Sequence, residues 1–518
     1  LRGHSGKYRQ RNWNVIRDKE TEMDRLPAGG SPLWAMIYPA DYGVGMSSLG
    51  YQSIISEMRK LGVGVERFFP GPLSGMSVET GRNILDFPLI SASVAYEPDL
   101  LSLLSVFMSW GLAPGWKERS QAGQPVFGVG GALSYINPFI FYDIADYVVL
   151  GDGEPVVEHL VRECRRYMSH GDRKRLWEGL AEHGSIYVPP IHNCQILNEK
   201  PVHRKKSVLA DLDLARGKSL WITPESVFGR TILVELQRGC PRACRYCTIP
   251  ASFGPVRTRS VERVLEDVAA VKDLEDVQVG LVTPEAGDYP ELSKVLRCIR
   301  STKRAVSFAS LRVDNIKEEM MQALVESGRY TITVAPEAGN DRLRGICGKK
   351  FSNEEIIEKM VLAKKTGIRQ AKLYFMVGLP GETLQDVETI AGLCNDIRSR
   401  TALKLSASVG VFVPKPMSPW ENENIAGHEE ASEKIRKLKE LFLGNSNRGL
   451  SIRIQEPKES MLEYRISWRG LGTDLPPASY RKAICTIKNK IYPEKDLLRE
   501  QLGLLGFKAT YCLRGDWQ

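Results

Sequence analysis

No apolar run in this chain approaches the roughly 20 residues needed to cross a bilayer; stretches such as 100–108 are too short, so no membrane span is expected. Residues 1–14 are basic and polar and lack an apolar core, so no secretory signal is expected. Cysteine is scarce, ten in 518 residues, which excludes a disulfide scaffold and points to reduced thiols in a cytoplasmic compartment. Neither sign of charge dominates. The 71 Lys and Arg exceed the 62 Asp and Glu by nine, a mild basic bias open to an anionic cofactor, an acidic protein partner or nucleic acid. The one short basic run, 203–206, reads as a solvated loop. With 42% hydrophobic and 26% charged residues, the composition excludes a disordered chain, a collagen-like fibre and a coiled coil.

What the chain does have is alternation of strand and helix. Residues 1–30 are polar and read as an arm. Apolar strands are expected at 33–38, 63–69, 87–94, 125–129 and 147–150, with helices at 48–61, 100–110 and 154–168 between or after them. Five short strands alternating with helices argue a doubly wound parallel sheet over 31–170. Ligands of such sheets sit at the carboxyl ends of the strands, where this segment places its glycines. Residues 171–229 read as a connector. A second series follows from 230 to 420, with strands at 231–236, 277–282, 305–309, 331–335, 371–376 and 405–413. Six βα units fall short of the eight that close a barrel, so a partial barrel is expected. Residues 421–518 read as a small, mostly helical third unit with helices at 428–443, 459–470 and 493–505 and a strand at 450–456.

The sharpest signal is Gly239-Cys240-Pro241-Arg242-Ala243-Cys244-Arg245-Tyr246-Cys247, directly after the first strand of the second series. Three thiolates in one tight loop can each hold one iron of a four-iron cluster, leaving the fourth iron open to a ligand. Structural zinc is the competing reading, but it wants four closed ligands, and the next cysteine along the chain is Cys298.

The motif resembles that of the radical SAM superfamily, and the resemblance covers 231–419. It implies that Cys240, Cys244 and Cys247 bind a 4Fe-4S cluster, with S-adenosylmethionine (SAM) chelating the open iron and being cleaved to a radical on reduction. It implies a six-unit partial barrel, in agreement with the strand count. It implies Tyr246 near the adenine, Ser310 and Arg312 after the third strand reaching SAM, and Glu337 after the fourth on the ribose or amino group. Arg342 and Arg344 would bind the SAM carboxylate, and the backbone of Gly378 would lie near the adenine.

A sheet domain ahead of such a barrel resembles the cobalamin-dependent (class B) branch. The resemblance implies a cobalamin site built from Tyr42, Gly43, Met46 and Ser47 after the first strand and Ser93, Tyr96 and Glu97 after the third. Gly130 and Gly131 follow the fourth, and Gly151, Asp152, Gly153 and Glu154 the fifth. Glycines let backbone approach a flat macrocycle closely. The first loop carries no His, so cobalt would lack a His ligand, or the domain has lost cobalamin. Methylthiotransferases, another sheet-plus-barrel branch, need three further amino-terminal cysteines; residues 1–230 hold only Cys164 and Cys194.

The expectation is therefore an α/β protein that methylates an unactivated carbon with cluster, SAM and cobalamin. It would be monomeric and reduced by a ferredoxin or flavodoxin, with a polypeptide rather than nucleic acid as substrate. The pattern is also similar to that of methanogen members that methylate a glutamine Cα in methyl-coenzyme M reductase. Two alternatives stand beside it: a radical SAM enzyme of other chemistry without cobalamin, and a non-enzymatic iron–sulfur protein that binds RNA or senses redox state.

Overall fold

A computed structural model of the chain describes residues 13–24, 26–27, 29–71, 75–197, 204–309, 311–444 and 449–469. The expected helix at 493–505, Cys485, Cys512 and Ser310 lie outside them. The chain divides into two compact units. One comprises the described residues of Leu1–Ala210, Leu214–Thr231 and Ile466–Gln518, the other Asp211–Asp213 and Ile232–Arg465.

The first unit is built on strands β1 (Leu33–Ile37), β2 (Gly64–Phe68), β3 (Leu89–Ser93), β4 (Val126–Gly130) and β5 (Tyr147–Val149). They are parallel in the order β2-β1-β3-β4-β5, and the segment expected as a connector adds a sixth, antiparallel strand, β6 (Ile186–Tyr187). The chain reverses direction across the sheet between β1 and β3, the position where such sheets bind ligands. Helices α1 (Leu49–Lys60), α2 (Glu97–Ser109) and α3 (Glu154–His170) connect or follow the strands. Ser48 caps α1 by accepting a hydrogen bond from the Tyr51 N–H. Gly128 has a packing reason: the Tyr147 ring on the neighbouring strand lies 1.9 Å from where its Cβ would be.

Beneath the β1 end lies a buried charge network. Arg67 donates to Glu20 at 2.6 and 2.8 Å and to Glu79 at 2.6 Å, and its guanidinium stacks 3.9 Å from the Trp221 ring. Arg59 joins Glu22 and Glu79. Every charge here has an opposite partner, which is what makes burial tolerable. The network ties 20–22 and 221 to the sheet, and Thr21–Glu22 pairs antiparallel with Trp221–Ile222.

The same unit contains a pH-sensitive element. His192 is buried, stacks on Tyr187 and accepts the Val188 N–H at 2.8 Å on Nδ1. Burial, with Arg204 beside it, holds the imidazole down to about 4. An unfolded imidazole titrates near 6.5, so between these values the unfolded chain binds the extra proton and stability falls as pH falls. The unit should lose about 2 kcal/mol between pH 7 and pH 5 from this residue. Denaturant titrations at the two pH values should show the loss in the wild type and a smaller one in His192→Gln.

The second unit contains β7 (Thr231–Glu235), α4 (Val261–Ala269), β8 (Gln278–Val282), α5 (Leu292–Ser301), β9 (Val306–Phe308), α6 (Glu318–Glu326), β10 (Thr331–Glu337), α7 (Asp341–Ile346), α8 (Asn353–Lys365), β11 (Gln370–Val377), α9 (Leu384–Thr401) and β12 (Lys404–Val411). All six expected strands are present. They form two sheets among the described residues, β9-β8-β7 and β10-β11-β12, so the barrel is open. After α10 (His428–Gly444), β13 (Leu450–Ile454) adds in parallel to β12 as a seventh strand. α11 (Pro457–Arg469) follows. Capping boxes fix two helix starts, Ser352 with Glu355 at α8 and Thr383 with Asp386 at α9. Each such start sets where a strand-to-helix loop leaves the carboxyl ends of the strands.

Candidate active site

The cysteine loop leaves the barrel just after β7. Gly239, at φ +78°, starts it; a Cβ there would meet the Pro255 carbonyl at 2.8 Å. The loop is stapled by backbone. Arg245 N–H reaches the Cys347 carbonyl, Trp420 N–H the Arg245 carbonyl, and Cys247 N–H the Cys244 carbonyl. Gly348 closes over it, with space for no side chain, since a Cβ would lie 2.4 Å from the Ala243 carbonyl. Cys244 is buried, while Cys240 and Cys247 are half-buried. Burial raises the thiols of Cys240 and Cys247, the latter to about 11, so loading a metal here must displace protons.

Among the described residues no three His, Cys, Asp or Glu side chains converge on a single ion position. A four-iron cluster takes its thiolates on different irons, so the sulfurs flank it rather than meet at one point. A cation stands at the buried thiol: Arg312 Nη1 donates to Cys244 Sγ at 3.2 Å. Burial would lower the Arg312 pKa, but paired hydrogen bonds to Asp314 at 3.0 and 3.1 Å and the Cys244 sulfur outweigh it and raise the value. Such a cation can offset negative charge on a sulfur ligand. Arg242, inside the motif, is held by Asp288. The donor set and its surroundings fit a 4Fe-4S cluster.

The structure brings Tyr246 and Glu337 together. Tyr246 Oη donates to Glu337 Oε1 at 2.7 Å, and Lys349 Nζ donates to the same oxygen at 2.8 Å and to the Ala335 carbonyl at 2.6 Å. Burial, and then the Glu337 charge, push the Tyr246 phenol far up, so it stays protonated and donating. Glu337 adopts φ +67°, a left-handed backbone costing about 1–3 kcal/mol for a side-chain-bearing residue. The carboxylate and Tyr246 line a cavity of about 540 Å³ that runs along β11, β12 and β13.

Other expected SAM contacts are corrected by the structure. Arg344 is fully buried and its guanidinium is consumed by the Pro336, Ala338 and Phe351 carbonyls, Asp341 and Asn353. Arg342 bridges α7 to α9 through Asp386 and the Gly381 carbonyl. Both therefore hold loops in place, and Arg344 has no donor left for a carboxylate. Gly378 N–H is taken by the buried Glu382, itself paired with Lys434, and a Cβ at Gly378 would lie 2.8 Å from the Ala426 methyl. Ser310 lies outside the described residues.

Sequence reading missed two residues, Lys349 and Glu285. Glu285 stands three residues past β8 and is buried to 1%. One oxygen accepts the Gly287 N–H and the other has no partner among the described residues. Burial raises this carboxyl to about 7, which marks it as a group waiting for a ligand or proton. The resemblance that singled out Glu337 offered nothing at this position.

In the first unit, the loop after β1 is already filled by the chain itself. Tyr42 is buried, donates to Glu20 and packs on Trp13 and Phe69; Arg67 donates to the Met46 sulfur. A Cβ on Gly43 would lie 2.5 Å from the Glu225 carbonyl, and Ser47 Oγ accepts the Val227 N–H. These four residues do not face a ligand, contrary to expectation. Gly151 and Asp152 are zipped to Ser207 and Leu209, and Gly153 packs on Ile54. Glu97 is buried and accepts the Ser467 hydroxyl at 2.6 Å. Gly131, at φ +100°, packs on the Val94 backbone, and Glu154 opens α3 half-buried. Of the remaining residues, Tyr96 is 44% exposed, Ser93 is half-buried, and Gly130 has nothing within 4 Å of a built Cβ. The accessible stretch is thus at the ends of β3 and β4.

Residues 234–394 match the family described as the radical SAM superfamily, and 71–189 match radical SAM proteins, N-terminal. An uncharacterized protein of Methanocaldococcus jannaschii is 27% identical over 397 residues, 75% of this chain and 79% of that protein. The tRNA-2-methylthio-N(6)-dimethylallyladenosine synthase of Anaplasma marginale is 26% identical, covering 42% of this chain and 49% of its own length. The chain thus spans under half of that enzyme. Among solved structures, the cobalamin-dependent S-adenosylmethionine radical enzyme OxsB with aqua-cobalamin bound aligns with a TM-score of 0.51 at 16% identity, covering 70% of this chain and 52% of OxsB. This last likeness is one of fold. With the cysteine loop, the Tyr246–Glu337 pair and the open barrel in the matched span, residues 234–394 are a radical SAM domain, carried behind an N-terminal α/β unit.

Proposed function

We propose that the chain is a cobalamin-dependent radical SAM C-methyltransferase. The observation that carries the radical part is the three-cysteine loop with Arg312 on Cys244 Sγ, opening beside a cavity whose wall holds Tyr246 and Glu337. A 4Fe-4S cluster held there would supply, with SAM, one-electron chemistry able to remove hydrogen from an unactivated carbon, while the cobalamin would supply the methyl group. Arg312, donating to the buried Cys244 sulfur, would offset the negative charge of that ligand beside iron. Lys349 and Tyr246 hold the Glu337 carboxylate in one orientation, ready to accept hydroxyl or ammonium donors with its free lone pairs. Ser93, Tyr96 and Gly130 are the residues for the cobalamin face.

The substrate favoured by this reading is a polypeptide, with a glutamine Cα of methyl-coenzyme M reductase as the candidate target and a ferredoxin or flavodoxin as reductant. A methylthiotransferase reading is supported by the relatives, but residues 1–230 contain only Cys164 and Cys194, and Cys164 is fully buried in the apolar core. A cobalamin-free reading is supported by one observation, the filling of the β1 loop by residues 223–227.

The test is cofactor content after anaerobic reconstitution with iron, sulfide and hydroxocobalamin, followed by desalting. About four irons and one cobalt per chain are expected. About four irons without retained cobalt would overturn the cobalamin assignment, and about eight irons would favour the methylthiotransferase.

A further inference from the structure

The sheet β10-β11-β12-β13 has two unlike faces. Leu373, Phe375 and Val377 on β11 and Leu405, Ala407 and Val409 on β12 are buried. The alternate residues form polar rows across the register: Thr333, Lys372, Ser406 and Ser451 in one, and Tyr374, Ser408 and Arg453 in the next. A barrel lumen that serves only as a core is packed with layers of bulky aliphatic residues. Here Tyr374, Ser408, Lys415 and Arg453 line the cavity beside apolar residues such as Met376 and Phe412. Tyr374 is 46% exposed, and it lines the same 540 Å³ cavity as Ser408 and Arg453.

The charges of the cavity do not balance locally. Glu337 is held by Lys349, and Glu463 by Lys415 at 2.6 Å. Each lining acid therefore has its own cation. Arg453 lines the cavity with no acidic partner among the described residues, and Lys372, one row away, has none either. Arg453 is exposed on the cavity wall, and an unpaired guanidinium there is matched best by a carboxylate or phosphoryl group, which it can engage through two parallel hydrogen bonds.

We infer that this lumen seats an anionic group of the substrate against Arg453, with Tyr374 and Ser408 beside it in the same row and Lys372 adding positive charge from the adjacent row. The inference deepens the proposed function by naming the charge class of the substrate, and it rests on that reading for calling the occupant a substrate. Binding of the anion itself requires neither iron nor cobalt.

The test is the rate of phenylglyoxal modification of Arg453 in the cluster-loaded full chain with SAM present and no reductant, read by peptide mass spectrometry. Exposed Arg436 serves as the internal control. The probes are glutarate, inorganic phosphate and neutral glutaramide. Glutarate or phosphate should slow modification of Arg453 at least about threefold relative to Arg436. The stronger of the two distinguishes a carboxylate from a phosphoryl group, and glutaramide should have no effect. In Lys372→Gln the protecting anion should be needed at several-fold higher concentration. Protection by neither anion, equal protection by glutaramide, full protection by SAM alone or an unchanged requirement in Lys372→Gln would each overturn the inference. Iron content and SAM cleavage are measured on the same preparation. Their absence with protection intact would count against the proposed function and leave the anion site standing.

Discussion

Replacing Cys240, Cys244 and Cys247 together with Ala should remove the brown iron colour and reduce SAM cleavage under strong reductant to background. The expectation follows from the geometry of the loop. The three thiols sit on one tightly stapled segment, and no other group of ligands among the described residues could substitute for them. Cys347 is the nearest reserve, yet it is fully buried among Leu343, Leu379 and Phe412, and burial lifts its thiol to about 12. The loop does not need metal to hold its backbone: its hydrogen bonds to Cys347 and Trp420 are main-chain bonds that Ala preserves. The variant should therefore stay folded, with a denaturant midpoint near the wild type. SAM cleavage persisting in it would end the radical reading. Retained iron with lost cleavage would place the metal elsewhere.

The fold was legible from the sequence because both units obey simple periodicity. β1, β3 and β4 are short apolar runs ending in glycine or polar loops, and helices such as α8 and α9 start at Ser and Thr with an acid three residues on. β13 was legible too, because Leu450–Ile454 alternates apolar and polar residues. β6 was harder, being two residues long inside the segment that reads as a connector. The three cysteines were legible because their spacing carries the chemistry. Tyr246 and Glu337 followed from the resemblance to the family's motif positions, which offered nothing at Glu285, three residues past β8.

What was not legible was occupancy. A glycine or tyrosine at a strand end is available to a ligand only if no other part of the chain reaches it first. Residues 223–227 cover Gly43 and Ser47, and Ser207 covers Gly151, from sequence separations of about 180 and 56. Local patterning holds no information about such returns. The same limit applies to the arginines. Arg342 and Arg344 read alike as carboxylate binders, and only the tertiary structure separates them from Arg312, which reaches a cysteine sulfur.

Arg344→Lys tests that separation and should be severely destabilising, by about 3–5 kcal/mol, as for a broken buried ionic network. Arg344 is fully buried beneath the Phe351 ring, 5.4 Å from its centroid, and donates to three carbonyls, Asp341 and Asn353. Lysine brings one compact ammonium with three donors and cannot reach groups arranged around a planar fork, so several buried acceptors lose their partners. Because whole domains are stable by only about 5–15 kcal/mol, the second unit would lose a large part of its margin. Arg342→Gln is the contrast. Its side chain is 54% exposed, and the buried Asp386 keeps its hydrogen bonds from Thr383 and Asn340 without it, so a change of about 1 kcal/mol is expected. Urea denaturation of both variants reads the stabilities, and SAM binding to the folded fraction of each reads the alternative. Unchanged SAM affinity per folded molecule in both variants is the expected result, since Arg344 spends its guanidinium on buried acceptors and Arg342 is tied to Asp386 and the Gly381 carbonyl. A normally stable Arg344→Lys protein that no longer binds SAM would restore the role that the motif alone suggested and would require the loop after β10 to open in the loaded enzyme.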